Sequence, residues 1–241
     1  MTVNAGAARD AAYARLRAAE ALGGTLVKER RPAQMRATLD AILATTKQTV
    51  DEMGDRGDPY LMSHTYLTRG AADVDRAILE AEAPARDRDF AQGADDLDAG
   101  VSAATESDSA ALALKIVPWA MVVLSSALQH ASGRSRRAFE VRMELCIRDL
   151  QEACDRQQRD VREGAKTLFA SQMLLEGARS IADPSARRVV LGRARELASE
   201  ARTALLKAGA YDIAEQAAAT FASIPPPEAA RQTAAPTGPA A

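Results

Sequence analysis

The stretch SRRAFEVRMELCIRDLQEACDRQQRDVREGAKTLFASQMLLEGARSI, residues 135–181, decides the fold. No proline interrupts it, and Phe139, Met143, Cys146, Leu150, Ala153 and Gln157 recur at alternating steps of four and three. Those steps place about one side chain per turn on the same side of an α-helix. Val161, Ala165, Leu168, Met173 and Leu175 carry the stripe on in looser register. A single helix of this length reaches about 70 Å at about 1.5 Å per residue, longer than a compact bundle is wide. The spacing therefore predicts one long, coiled-coil-like helix over 135–181, part of which protrudes or pairs with another chain. Gln157, polar on an apolar stripe, and Gly164 mark where register is set or the helix bends.

Downstream, Asp183 followed by Pro184 is a capping carboxylate with proline at the first helical position. It opens a helix through Val189, Val190, Ala194, Leu197, Ala201 and Leu205. Gly209 separates this from a last helix carrying Ile213, Ala217 and Phe221, so the two form a hairpin. From 223 onward prolines, alanines and small polar residues predict a disordered tail.

Upstream, residues 110–128 are apolar except for Lys115, Pro118, Ser125 and Ser126. The length approaches the roughly 20 residues of a membrane span. A lysine at mid-membrane costs about 2.5–3.5 kcal/mol, and with Pro118 and the high alanine content this points to a central buried helix. Pro118 is expected to kink or divide it, with Trp119 in the core. Before it, Phe90, Ala94, Leu97, Val101 and Ala104 make a short heptad-like seam, weakened as helix by Gly93, Gly100 and the aspartates between Asp89 and Asp98.

Three further helices lie towards the N-terminus. Asp58 and Pro59 open one that carries Leu61, His64, Leu67, Ala71, Val74 and Ile78 to about Glu82, where Pro84 closes it. Pro32 opens another, burying Met35, Leu39, Ile42, Leu43, Thr46, Val50 and Met53 before Gly54. The first runs over 7–22 and ends at Gly23 and Gly24. The fold class read from these patterns is all-α, a helical bundle of about six to eight helices. It divides into an N-terminal helical region 1–130 with the buried helix 110–128, a region 134–222 holding the long helix and the C-terminal hairpin, and the tail 223–241.

The chain has 241 residues, enough for a core without cross-links or metal. Apolar residues make up 47% but aromatics only 4%, a composition of helix formers poor in the residues that sheets need. Cys146 and Cys154, eight residues apart on one helix, lie about 12 Å apart at about 1.5 Å per residue and cannot bond to each other. They read as thiols in a reducing compartment. With no basic-then-apolar leader at the N-terminus, a cytoplasmic location is expected. The net charge of −2 argues against a general nucleic-acid binder. Residues 51–110 nevertheless carry fifteen acidic and five basic side chains, and residues 131–210 eleven acidic and sixteen basic. Balances of −10 and +5 predict attraction within the fold or between subunits.

Signatures of chemistry are sparse. The sequence has no glycine-rich phosphate loop and no nucleophile elbow. Neither His64 nor His130 follows a glutamate by three positions, as a helical di-iron site requires, and no close Cys/His pair has zinc-finger spacing. No cofactor and no metal site are therefore expected. His64 lies near an apolar stripe, where a core histidine is the simple reading, and His130 near a helix end, where a cation is favoured. If the chain is enzymatic, His64 with Asp55 or Asp58 is the constellation to test. The aspartates around 51–58, Asp73, Asp75 and 87–98 have oxygens for a divalent ion, but their spacing fits no EF-hand.

Lys28, Arg30 and Arg31, like Arg134, Arg136 and Arg137, suit lipid phosphates. Without aromatics beside them to stack bases, no sequence-specific nucleic acid is expected as partner. The leading expectation is a non-catalytic helical scaffold or adaptor that acts through a homo-oligomer or a protein partner. Its interface would be Phe139, Met143, Cys146, Leu150, Gln157, Val161 and Leu168. Peripheral contact with a membrane or hydrophobic particle, and an enzyme of a helical class with a dispersed site, are the two alternatives.

Overall fold

A computed structural model describes residues 2–26, 28–54 and 57–226, the side chains from residue 6 on. Among these the regular structure is wholly helical, in eight helices. They are α1 Thr2–Leu26, α2 Pro32–Met53, α3 Pro59–Leu79, α4 Ala83–Thr105, α5 Ala110–His130, α6 Gly133–Ala178, α7 Pro184–Lys207 and α8 Tyr211–Ser223. The all-α bundle expected from the periodicity is what the chain forms. Of the expected tail, residues 227–241 lie outside the described residues.

The helix starts follow their local chemistry. Asp58 accepts a hydrogen bond from the Leu61 amide at 2.9 Å, and Asp183 accepts from Ser185 and Ala186 at 3.1 and 3.2 Å. Two ends differ from the sequence reading. The first helix does not stop at Gly23 and Gly24 but runs to Leu26, because Leu22 and Leu26 both pack on a core of Ala19, Leu39, Ile42 and Ala72. Pro84 does not close α3; it sits in the first turn of α4, where a missing amide proton is harmless. α5 continues through Pro118, which removes one helical donor without ending the helix.

The chain forms two compact units, Met1–Cys154 and Asp155–Ala241. Their boundary lies inside α6, and residues 131–132 form the turn from α5 into α6.

In the first unit α3 is the central helix, packed on α1, α2, α4 and α5. Its contact with α4 is backbone to backbone. A Cβ on Gly70 would fall 2.9 Å from the Gly93 carbonyl oxygen, and one on Gly100 would fall 3.1 Å from the Leu67 amide. The glycines expected to weaken α4 are thus the residues that let α3 approach it, and α4 is continuous from Ala83 to Thr105. Arginines of α3 then grip aspartates of α4: Arg69 pairs with Asp96, and Arg76 forks onto Asp89 at 2.9 and 3.0 Å while also meeting Asp73 at 3.0 Å. Below them the apolar core gathers Leu67, Val74, Phe90, Leu97, Ile116, Leu124 and Phe139. Each such side chain, fully buried, stabilises the fold by about 1.5–3 kcal/mol. α5 buries nine residues along one side and leaves Trp119 and Val122 exposed.

In the second unit the later part of α6 packs with α7 and α8 around Leu168, Ala201, Leu205, Ala214 and Ala217. Gly164 is where the Leu205 side chain rests, since a Cβ there would lie 2.8 Å from Leu205 Cγ. Gln157 donates to the Ala208 carbonyl at 2.7 Å, and Ser171 to the Ala194 carbonyl at 2.7 Å. Met173, expected on the stripe, is 55% exposed; the buried position in that turn is Ser171.

Candidate ligand cavity

Where α1, α2, α3 and α5 come together, the first unit leaves a cavity of about 450 Å³. Its walls are mostly aliphatic, with Leu26, Met35, Leu39, Ile42, Ile78 and Leu79 among them. Gly23 and Gly24 line the α1 side, and a Cβ at either would meet nothing within 4 Å. Open space therefore lies beside both positions. Trp119 of α5 stands on the rim, 41% exposed.

Three polar residues reach the same space: Glu20 from α1, and Thr68 and Asp75 from α3. Thr68 is 8% exposed and its hydroxyl has no hydrogen-bond partner. A helical threonine ordinarily satisfies itself on the carbonyl four residues back, as Thr46 does on Ile42 at 2.8 Å. Leaving such a buried group unmatched costs about 1–3 kcal/mol. Asp75, at the mouth, has no ion-pair partner among the described residues, and burial raises its carboxyl above the ordinary range.

One turn before Thr68, His64 lies buried among Tyr60, Trp119 and Glu20. Its ring centre is 4.3 Å from that of Tyr60 and 6.3 Å from that of Trp119. Nδ1 is 3.4 Å from Glu20 Oε1, yet neither ring nitrogen makes a hydrogen bond. Burial, with Lys115 adding to it, pushes the imidazole down to about 4, so His64 is neutral at physiological pH. Burial likewise raises Glu20, against the pull of Lys115 and Arg17. Lys115 itself sits over the Tyr60 ring, Nζ 5.2 Å from the centroid.

The other residues singled out by sequence fall elsewhere. Asp55 lies outside the described residues. Asp58 caps α3 and is held by Tyr13 at 2.9 Å and by Arg9 at 3.0 Å; the carboxylate beside His64 is that of Glu20. The expected His64–aspartate constellation is therefore not assembled by Asp58. Of the stripe read as an interface, Phe139, Cys146 and Leu168 are buried by the chain itself, and Met143, Leu150, Gln157 and Val161 are half-buried. Phe139 meets Phe90 edge-on at 5.6 Å, and Met143, Cys146 and Leu150 join the same core. In the second unit Gln157 closes on Ala208, while Val161 and Leu168 pack with Ala201 and Leu205. An apolar face does have to be hidden; here the neighbouring helices hide it.

The crowded aspartates are matched to arginines rather than to one another. Besides the α3–α4 pairs, Arg142 reaches Asp95 at 3.0 Å and Asp98 at 2.8 Å. Among the described residues no group of three or more His, Cys, Asp or Glu side chains is arranged to hold a metal ion. Burial pushes the Cys146 thiol up to about 11, with Asp149 and Asp98 adding to it. In the second unit a depression of about 820 Å³ beside α7 is lined by Arg195, Glu196, Glu200 and Phe221. There Arg195 binds the Phe221 and Ile224 carbonyls, and both glutamates meet Arg193.

In comparisons with known proteins, no family model matches the chain, and neither a curated protein nor a solved structure matches it significantly.

Proposed function

We propose that the protein is a non-catalytic helical adaptor, and that its first unit receives a largely aliphatic side chain of a partner protein in the cavity between α1, α2, α3 and α5. The observation that carries this reading is the rim. Trp119, 41% exposed, stands at the mouth of an aliphatic cavity, and the exposed Val122 lies one turn on along α5. Binding energy in protein interfaces concentrates where an aromatic or aliphatic anchor enters such a pocket. The volume lies within the roughly 300–1,000 Å³ of ordinary ligand sites.

The non-catalytic half of the reading is supported by the candidate groups themselves. An imidazole held at about 4 is a weak base, and a thiol held at about 11 is a poor nucleophile at neutral pH. The free thiols of Cys146 and Cys154 suit a reducing, cytoplasmic setting. Because the α6 stripe is buried or half-buried against the chain's own helices, association is assigned to the cavity rim rather than to pairing along that helix.

Gly23→Leu tests the proposal, since the new side chain enters open space in a helix that tolerates leucine well. Nile red, a neutral apolar probe, should bind the wild-type chain saturably at one per molecule and be lost in the variant. Partner capture from the source cell should be lost with it. Equal probe binding by both proteins would remove the cavity as the receptor. Flotation with lipid vesicles that depends on Trp119 and Val122, but not on Gly23, would move the assignment to a membrane surface.

A further inference from the structure

Resting on that cavity reading, we infer that the group it takes is a cation on an apolar stem, the chemistry shared by a lysine side chain and a free alkylammonium ion. The aliphatic walls suit a methylene stem, which a lysine buries readily while its head stays polar. The head group meets three features that favour a positive charge. The Asp75 carboxylate lines the mouth without an ion-pair partner among the described residues, and Glu20 lines it from the opposite helix. The Thr68 hydroxyl, 8% exposed and unmatched, offers a buried oxygen to an ammonium N–H. The indole of Trp119 adds a face over which a cation is stabilised.

Of the nearby basic side chains, Arg17 and Lys115 act on Glu20 and none reaches Asp75 as an ion pair among the described residues. Lys115 sits over the Tyr60 ring, while Arg36 binds Glu80 at 3.2 Å and also the Leu79 carbonyl. An anion entering the same space would meet two carboxylates, and among the described residues no lysine or arginine lines it. A neutral alcohol would fill the stem region but leave the charge at the mouth unbalanced.

The chain has one tryptophan, so Trp119 reports directly on occupancy, with calorimetry as a second readout. The probes are n-hexylammonium, n-hexanol and hexanoate at pH 7, together with the end-blocked peptide acetyl-Leu-Lys-Leu-amide. Hexylammonium should bind about tenfold more tightly than hexanol, and hexanoate more weakly than either. Asp75→Asn should abolish the preference for ammonium while leaving the hexanol affinity unchanged. Thr68→Val, which keeps the shape of the side chain, should weaken ammonium binding several-fold without loss of folding. A peptide that binds more tightly than hexylammonium assigns the site to a protein lysine, and the reverse order assigns it to a free amine. Equal affinities for hexylammonium and hexanol would overturn the charge inference and leave the cavity reading standing. Failure of both to bind would overturn the two together.

Discussion

Gly70 and Gly93 face each other across the α3–α4 contact: a Cβ on Gly70 would lie 2.9 Å from the Gly93 oxygen, and one on Gly93 would lie 3.0 Å from the Gly70 oxygen. Neither oxygen can yield without moving a helix. Gly70→Ala and Gly93→Ala should each lower stability by about 1–3 kcal/mol, despite the roughly 1 kcal/mol that alanine gains as a helix former. Gly192 is also inside a helix, with open space around it, and Gly192→Ala should raise stability by about 0.5–1 kcal/mol. Urea unfolding midpoints decide the signs; a Gly93→Ala midpoint at or above wild type would show that the helices can part.

Two buried groups give the stability opposite pH slopes. His64 falls from 6.5 to about 4 on folding, so its neutral form supports the fold above pH 6.5 and that support is lost as pH drops towards 4. Asp73 rises from 3.8 to about 7, chiefly through burial and against the pull of Arg76. Its contribution is full below pH 3.8 and is lost as pH rises through 7. At about 1.4 kcal/mol per pKa unit, each is of the order of 3–5 kcal/mol. His64→Gln should flatten the acid side of the stability curve, and Asp73→Asn the side between pH 4 and 7. Guanidine unfolding at half-unit steps would reveal a variant curve parallel to wild type if either group is wrongly assigned.

Asp58 and Asp183 cap helices in the same way but differ in what else they hold. Asp58 also accepts from Tyr13 and pairs with Arg9, tying α1 to α3, whereas Asp183 bonds only within its own turn. Asp183→Ala should cost about 1 kcal/mol or less, and Asp58→Ala about 1–2 kcal/mol. Tyr13→Phe should recover part of the Asp58→Ala loss in a double-mutant cycle. Purely additive effects would mean the hydroxyl contributes nothing.

The two thiols should separate cleanly by reactivity. Cys146 is buried with its thiol pushed up to about 11, and Cys154 is half-buried. Only the thiolate reacts, so native protein should take up one maleimide quickly, at Cys154, and a second only on unfolding. Peptide mapping that found Cys146 labelled first would contradict the packing around Phe139.

What the sequence made legible was local. Asp58-Pro59 and Asp183-Pro184 announce helix starts because the cap is formed by residues within the next three positions. The 135–181 stripe announced its helix because burial repeats with the helical turn. The identity of the covering surface was not legible, since Phe90 lies some fifty residues from Phe139 in the chain. Hydrophobicity also misplaced the stripe along α6: Met173 is exposed, while Gly164 and Ser171 are buried because Leu205 and the Ala194 carbonyl come too close for anything larger. The cavity had no sequence signature, as Glu20, Thr68, Asp75 and Trp119 come from three helices. Its nearest hint was Gly23-Gly24, which reads as a helix stop unless Leu26 is known to pack beyond it.

Backed by α4 through glycine contacts and two arginine–aspartate pairs, Arg69–Asp96 and Arg76–Asp89, α3 forms a stiff spine. The wall of the cavity that bears Thr68 and Asp75 cannot retreat to admit a guest. Room must come from the opposite side, where α1 and α2 meet α3 through smaller clusters. Amide exchange would then quicken and slow along α1 and α2 as guests come and go, while α3 keeps one steady rate.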